Sequence, residues 1–144
     1  MNIILNNKKA YYEFFIEDTF EAGIVLEGCE VKSVKEGHIS LNEAFVSLKD
    51  NELYLKNAYI KPYFKANNFS VSDTRTRKLL LKKEEILKIK KKVEIKGYTI
   101  VPTKVYLKNN LVKIEIAIAK GKKLYDKRET IKKRDLSREI KNLN

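Results

Sequence analysis

Residues 101–119 read VPTKVYLKNNLVKIEIAIA, an alternation of apolar and polar side chains on both sides of an asparagine pair. The apolar positions of the second half are Val112, Ile114, Ile116 and Ile118. Those of the first half, which we expect on one face, are Val101, Thr103, Val105 and Leu107. Period-two alternation predicts strands with one face on a core. Because asparagine tolerates positive φ, Asn109-Asn110 predicts a tight turn, and the stretch is predicted to form a β-hairpin.

The same design recurs earlier in the chain. Apolar residues alternate with polar ones over residues 44–55, and Asp50-Asn51 lies between the two halves, which predicts a second hairpin. Residues 10–16 and 20–26 are rich in aromatic and branched side chains, so they are predicted to form two further strands. The sequence therefore predicts about six strands.

Helical patterns are fewer. Residues 82–93 lack glycine and proline and place Ile86, Ile89 and Val93 on one side, which predicts one amphipathic helix. Residues 27–35 predict a short helix. Residues 61–78 have no period and are interpreted as a long loop. Beyond Tyr125 the composition favours helix, but so few apolar residues share a face that we expect this helix to form only on binding.

This order of elements predicts a mainly β fold. We expect a small closed antiparallel barrel of about six strands, similar to the oligonucleotide-binding (OB) fold, with two or three helices and a basic C-terminal tail. A length of 144 residues with 43% hydrophobic content suits one core. The predicted organisation is a barrel domain over residues 1–123 and a tail over residues 124–144.

The charge is unevenly distributed. The formal net charge of the chain is +12. Residues 120–141 carry ten basic and four acidic side chains, so their net charge of +6 is half of the total. Such a density attracts polyanions. An anionic membrane and a merely solubilising tail are alternatives, but a basic domain with aromatic residues favours nucleic acid as the partner.

Catalytic and metal-binding residues are sparse in this sequence. The single histidine, His38, follows Gly37 in a predicted turn, and the single cysteine, Cys29, excludes an intramolecular disulfide. Serine-nucleophile and phosphate-loop glycine motifs are absent from the sequence. The nearby carboxylates Glu13, Glu17, Asp18 and Glu21 are interpreted as solvated charges rather than as metal ligands. We expect no catalytic residue, metal, cofactor or small-molecule substrate.

The N-terminus lacks the apolar core of a signal peptide, and no apolar stretch in the sequence approaches the length of a membrane span. These features predict a cytoplasmic protein that has no membrane partner.

Three basic sets are candidates for binding phosphates. The first is Arg75, Arg77 and Lys78, in which the guanidinium groups of the two arginines suit bidentate contacts. The second is Lys8 and Lys9, which are followed by the aromatic residues Tyr11, Tyr12, Phe14 and Phe15. The third is the block of residues 120–128. A solvated loop edge is the alternative for the first set, and a solubilising tail is the alternative for the third. In the second set most of the aromatic rings are expected to be structural, because alternate positions of a strand face the core.

Four motifs in order resemble those of the SsrA-binding protein (SmpB) family, over nearly the whole chain. They are NKKA (7–10), FEAGIVL (20–26) with Gly28 and EVKS (30–33), RTRKLLL (75–81), and AKGKK (119–123) with DKR (126–128). The resemblance implies an OB-type barrel that binds the tRNA-like domain of transfer-messenger RNA. It further implies delivery of that RNA, with elongation factor Tu contacted indirectly through the RNA, to ribosomes stalled without a stop codon.

The resemblance and the basic sets together give two groups of site residues. The predicted RNA-binding residues are Asn7, Lys8, Glu30, Lys32, Arg75, Arg77, Lys78, Leu80, Lys120, Lys122 and Lys123. The residues predicted to reach the decoding region and messenger channel of the small ribosomal subunit are Asp126, Lys127, Arg128, Lys133, Arg134 and Arg138.

Two other functions fit parts of the sequence. A constitutive ribosomal or ribosome-assembly protein would share the size, the charge and the tail. A small RNA-processing enzyme would need an acid and a base, for which Glu30 and His38 are the available candidates.

Overall fold

The computed structural model describes residues 2–62 and 73–122. Its elements, in chain order, are β1 (Asn2–Asn6), α1 (Lys8–Glu13), β2 (Phe14–Ile24), α2 (Gly28–Lys35), β3 (Ile39–Ser40), β4 (Phe45–Lys49), β5 (Glu52–Lys56), β6 (Tyr59–Ile60), β7 (Arg77–Leu80), α3 (Lys83–Val93), β8 (Tyr98–Lys108) and β9 (Leu111–Gly121).

Both predicted hairpins are confirmed. Strands β8 and β9 meet at Asn109 and Asn110, whose φ angles are 52° and 65°. Strands β4 and β5 meet at Asp50 and Asn51, with φ of 50° and 63°. Two consecutive positive φ values match the twist of the flanking strands, which is why asparagine and aspartate suit these turns.

Six strands close into a ring. The order in the sheet is β1-β8-β4-β5-β7-β2-β9, and β8 also pairs with β9, so that β8, β4, β5, β7, β2 and β9 form a closed antiparallel cycle. Strand β1 extends the edge of β8, and β3 pairs with β6 separately. The predicted mainly β fold, closed by about six antiparallel strands with two or three helices, is confirmed in this form.

The core fills the ring and continues under α3. Leu53, Leu79, Ile114 and Ile116 are fully buried on its inner face. Helix α3 contributes the buried Ile89, as its periodicity predicts, and precedes the last hairpin as expected. This hairpin pairs along most of its length, so the ring is a firm support for side chains on its outer surface.

The prediction of a strand over residues 10–16 is wrong in its first half. Helix α1 replaces it there, because Ala10 packs against Val101, Ala117 and Ala119 on the outside of the ring. From Phe14 to Ile24 the chain is one long strand, which includes most of the strand predicted separately over residues 20–26, and its pairing with β9 is irregular between Ile16 and Thr19.

The expected common face of the first half of the 101–119 hairpin is also wrong. The register between β8 and β9 shifts between Pro102 and Lys104, so Val105 packs in the ring while Val101 packs under α1. A bulge of this kind reverses which side chains point inward.

The predicted loop over residues 61–78 ends in a strand. Arg77 and Lys78 belong to β7, which joins β5 to β2 in the ring. Residues 63–72, and the helix predicted beyond Tyr125, lie outside the described residues. Among the helices in the described ranges, none is long and apolar enough to cross a membrane.

Candidate nucleic-acid interface

Glu30 lies at the centre of a charged cluster beneath the surface. Its side chain is 3% exposed and accepts hydrogen bonds from Arg75, with Nη2 at 2.7 Å from Oε1 and Nε at 3.0 Å from Oε2. Arg77, which is completely buried, donates from Nε to Oε2 at 2.9 Å, and its Nη2 is 2.7 Å from the same oxygen. One buried carboxylate therefore holds two guanidinium groups.

Local structure aims these groups at each other. Glu30 is the third residue of α2, and its Oε1 accepts the backbone N–H of Glu27 at 2.9 Å, which completes a capping box. Arg77 points inward from β7 and also donates to the backbone oxygens of Ala58, at 2.8 Å, and Asp73, at 3.3 Å. The cluster thus ties α2, β7 and the segments that flank residues 63–72 into one unit.

The electrostatics of Glu30 follow from these contacts. Burial alone would raise the pKa of its carboxyl group, but hydrogen bonds from Arg75, from the Glu27 N–H and from Arg77 outweigh burial and lower that pKa. The hydrogen bond between Arg75 and Glu30 also raises the pKa of the Arg75 guanidinium group. Both groups therefore stay charged in the folded protein.

The outer side of the cluster presents charge and apolar surface. Arg75 is 26% exposed on its side chain, and its Nη1 also donates to the Thr76 oxygen at 3.3 Å. Lys78 and Lys32 are exposed, and Lys78 forms an ion pair of 3.7 Å with Glu52 at the surface. Arg75 is therefore a fixed and partly exposed guanidinium group, and Lys78 and Lys32 expose further positive charge.

Leu80 adds an apolar part to the same face. It is 53% exposed and lines a groove of about 250 Å³ together with Leu26, Val31 and Leu111. An exposed leucine in a groove suits the sugar and base surfaces of a nucleic acid.

The remaining predicted RNA-binding residues lie elsewhere. Asn7 is buried, with its Nδ2 donating to the Pro102 oxygen at 2.8 Å, while Lys8 is exposed at the start of α1. Lys120 is exposed near the end of β9, and Lys122 follows that strand with its Nζ 5.1 Å from the centre of the Phe15 ring.

The Glu30 cluster and the segment that contains Lys120 and Lys122 lie near opposite ends of β2. Its last residues pair with Leu79 and Leu80 of β7, whereas Phe15 at its start pairs with Lys120 of β9. The strand has 11 residues, so the two ends are about 30 Å apart. The structure thus brings Glu30 together with Arg75 and Arg77, and keeps Lys120 away from them.

Part of the predicted site is not described. Its residues outside the described ranges are Lys123, Asp126, Lys127, Arg128, Lys133, Arg134 and Arg138. The roles assigned to all of the site residues remain predictions. The sharing of Glu30 by two arginines is not visible in the sequence, since the partners lie 45 and 47 residues away and follow no local pattern.

The acidic residues near the start of β2 have structural partners. Glu17 accepts a hydrogen bond from the Tyr98 hydroxyl at 2.8 Å, and Glu21 accepts one from Tyr106 at 2.7 Å. Burial, and then the bond to Glu21, raise the pKa of Tyr106 far above its usual range. Over residues 2–62 and 73–122, no group of three or more acidic, histidine or cysteine side chains is arranged to hold a metal ion.

A closed ring of antiparallel strands, with a helix before its last hairpin and a basic surface, defines an OB-like protein of the nucleic-acid-binding type. The sequence profile described as SmpB protein matches residues 4–144. The chain belongs to the SmpB family.

Individual relatives agree with this assignment. The SsrA-binding protein of Thermoanaerobacter pseudethanolicus is 54% identical over 97% of this chain and 90% of its own length. That of Geobacter sulfurreducens is 51% identical over 96% of this chain and 90% of its own length. A solved structure described as "tmRNA-SmpB: a journey to the center of the bacterial ribosome" matches with a TM-score of 0.71 and 42% identity, over 96% of this chain and 98% of that one.

Proposed function

We propose that this protein is an RNA-binding adaptor of trans-translation. It binds the tRNA-like domain of transfer-messenger RNA and delivers that RNA to stalled ribosomes in the cytoplasm, where the nascent peptide is tagged and the ribosome is released. The observation that carries the proposal is the match to SsrA-binding proteins along almost the entire chain, together with the likeness to the tmRNA-SmpB structure. Elongation factor Tu is contacted only through the RNA.

The Glu30 cluster divides the work of RNA binding between buried and exposed residues. Arg77 has no exposed surface, so it acts by holding Glu30 and the start of β7 in place. Arg75, fixed by Glu30 and partly exposed, lies at the edge where a phosphate would be met. Preorganisation of this kind lowers the entropy lost when the RNA binds.

Exposed residues around that edge complete the surface. Lys78 and Lys32 supply charge, and Leu80 supplies an apolar contact. Lysine contributes a flexible point charge and releases counterions, whereas arginine fixes the orientation of the RNA. The surface is suited to the shape of a structured RNA rather than to its sequence.

The tail is a second module in this proposal. Residues 124–144 follow the last strand in the sequence and carry seven of the ten basic side chains of residues 120–141. Their partner is the small ribosomal subunit, at its decoding region and messenger channel, where charge neutralisation accompanies ordering of the tail. The protein acts without catalysis, cofactor or small-molecule substrate.

The test is equilibrium binding of the purified protein to the tRNA-like domain RNA across a range of salt concentrations. Arg75→Ala is expected to weaken binding and to reduce the salt slope by about one phosphate contact. Lys49→Ala, on an exposed lysine of the β4–β5 hairpin, is the matched control and should leave both quantities unchanged. Equal salt slopes for the wild type and Arg75→Ala would show that Arg75 does not contact a phosphate.

A further inference from the structure

The turns of the two confirmed hairpins are both tied to a helix in the same way. In each turn the second residue is an asparagine with positive φ, which is 63° at Asn51 and 65° at Asn110. The side-chain oxygen of that asparagine accepts a hydrogen bond from a lysine. Lys90 of α3 donates to Asn51 at 3.0 Å, and Lys35 of α2 donates to Asn110 at 3.3 Å. We call the Lys90–Asn51 contact the α3 clamp and the Lys35–Asn110 contact the α2 clamp.

The hairpin tip that carries Asn110 projects beyond the ring. Strand β9 pairs with β2 only as far as Lys113, which lies opposite Gly23. Within the described residues, Leu111 and Val112 pair with β8 alone. The position of the tip therefore depends on contacts outside the ring, and the α2 clamp is one of them.

The projecting tip forms one wall of the groove that contains Leu80. Gly23 lies at the floor of this groove, because it pairs with Leu80 of β7 on one side and with Lys113 of β9 on the other. The Cα atoms of Leu80 and Lys113 are therefore about 10 Å apart, which is two strand spacings. Leu111 continues the second wall at the tip and is 59% exposed. A displacement of the tip changes the width of the groove.

We propose that Lys35 and Asn110 are positioning residues for RNA binding, because the α2 clamp holds the hairpin tip at the separation from Leu80 that the RNA requires. This inference rests on the proposed function, since Leu80 belongs to the predicted RNA-binding surface. The clamp acts through the wall of the groove and not through a phosphate contact of its own. The α3 clamp has the same chemistry, but Asn51 lines a different cavity, together with Ile86 of α3, so that clamp contributes to stability alone.

The size of the expected effect follows from the strength of the clamp. A hydrogen bond from an exposed ammonium group to an amide oxygen favours the tied arrangement by about two- to fivefold. The affinity for a ligand falls in proportion to the fraction of molecules that have the required arrangement, so loss of the clamp should weaken RNA binding by at most this factor. No phosphate contact is lost, so the salt dependence of binding should stay that of the wild type.

The experiment measures equilibrium binding of the full-length protein to the tRNA-like domain RNA at several salt concentrations. Lys35→Met removes the ammonium group and keeps the length of the side chain, whereas Asn110→Gly removes the acceptor from a turn that glycine adopts readily. We expect each single variant and the double variant to show the same loss of about two- to fivefold, because either change breaks the same bond. Lys35→Arg keeps a donor and should bind like the wild type.

Asn51→Gly is the matched control, since it breaks the α3 clamp by the same substitution. It should lower the urea midpoint of unfolding about as much as Asn110→Gly does and leave RNA affinity unchanged. An equal loss of affinity in Asn51→Gly and Asn110→Gly would overturn the inference, because it would show an effect of stability alone. A reduced salt slope in Lys35→Met beside normal binding of Asn110→Gly would overturn it in favour of a direct phosphate contact by Lys35.

The remaining outcomes separate this inference from the proposed function. Wild-type protein that does not prefer the tRNA-like RNA would overturn the proposed function itself. Normal wild-type binding with unchanged affinity in Lys35→Met and Asn110→Gly would overturn only the role of the α2 clamp. Losses that add in the double variant would also contradict that role, because two residues that act through one bond cannot lose it twice.

Discussion

Glu30→Gln is the change that tests the buried cluster most sharply. The substitution keeps the size of the side chain, but it removes the carboxylate charge that compensates the completely buried guanidinium of Arg77. The new amide N–H₂ group also faces the N–H donors that Glu30 accepts from, so one side of the side chain can no longer accept a hydrogen bond. Arg77 keeps its bonds to the Ala58 and Asp73 oxygens, which are neutral acceptors.

The size of the effect follows from burial. Breaking a buried ion pair by removing one partner typically costs about 3–5 kcal/mol, because an uncompensated charge remains inside. The Glu30 side chain is 3% exposed and that of Arg77 is not exposed at all. The free energy of unfolding should therefore fall by this full amount. For a domain of this size, the melting temperature should fall by about 10–20 °C.

The assay is urea unfolding followed by circular dichroism, with thermal unfolding in parallel. Glu52→Gln is the matched control: it makes the same substitution in an ion pair with Lys78 whose side chains are 42% and 43% exposed. The control should cost at most about 1 kcal/mol. In the double variant Glu30→Gln with Arg77→Met, part of the lost stability should return, since the buried charge is gone. A loss below about 1 kcal/mol for Glu30→Gln alone would refute the reasoning.

Three further predictions concern acid, the tail and a turn. Since hydrogen bonding keeps the pKa of Glu30 below its ordinary 4.5, the unfolded state binds more protons at low pH, so the unfolding free energy should fall as the pH drops below about 4.5. Urea midpoints measured between pH 7 and pH 3 check this, and the unfolding free energy of Glu30→Gln should fall less over that range. An equal decrease in the wild type and in Glu30→Gln would contradict the role given to Glu30. Replacing residues 126–128 with alanine should leave affinity for the tRNA-like RNA within about twofold and abolish peptide tagging in a reconstituted translation reaction, because Asp126, Lys127 and Arg128 belong to the proposed ribosome-binding module; parallel loss of both would argue against two modules. Asn109→Val should lower the unfolding free energy by about 1–2 kcal/mol, since φ is 52° there, whereas Asn109→Gly should be nearly neutral; equal stability of the two variants in urea would contradict the strain argument.

Local rules predicted the hairpins and α3 correctly. An asparagine pair between alternating runs carries its own turn geometry, and the spacing of Ile86 and Ile89 is visible in sequence. Helix α1 was missed because only Ala10 is buried in its six residues, so no helical period exists to be read. Its neighbours are aromatic residues, which favour strands in isolation.

Strand β7 and the cluster were missed for a different reason. The inward positions of β7 are Arg77 and Leu79, and an arginine at a core position hides the alternation. An arginine is buried only when a distant acceptor exists, and Glu30 lies on another element. The resemblance to a family named both residues as site residues, but only the fold shows that they are partners.

The buried position of Arg77 changes how RNA-binding data on this motif should be interpreted. Loss of RNA affinity after substitution of Arg77 would reflect collapse of the Glu30 cluster, since its side chain has no surface to offer a ligand. Loss at Arg75, whose side chain is partly exposed, would report on contact if the variant keeps its stability, because Arg75 also donates two hydrogen bonds to Glu30. Stability and affinity therefore have to be measured together for every variant of the 75–78 segment.

The central claim is that the folded ring selects one structured RNA. The direct measurement is recovery of the tagged full-length protein from cells of the organism that encodes it, followed by sequencing of the bound RNA. We expect one small RNA with a tRNA-like end to dominate, and to be depleted when Arg75→Ala is used as bait. Recovery of ribosomal RNA in proportion to its abundance, with no preferred small RNA, would contradict the claim.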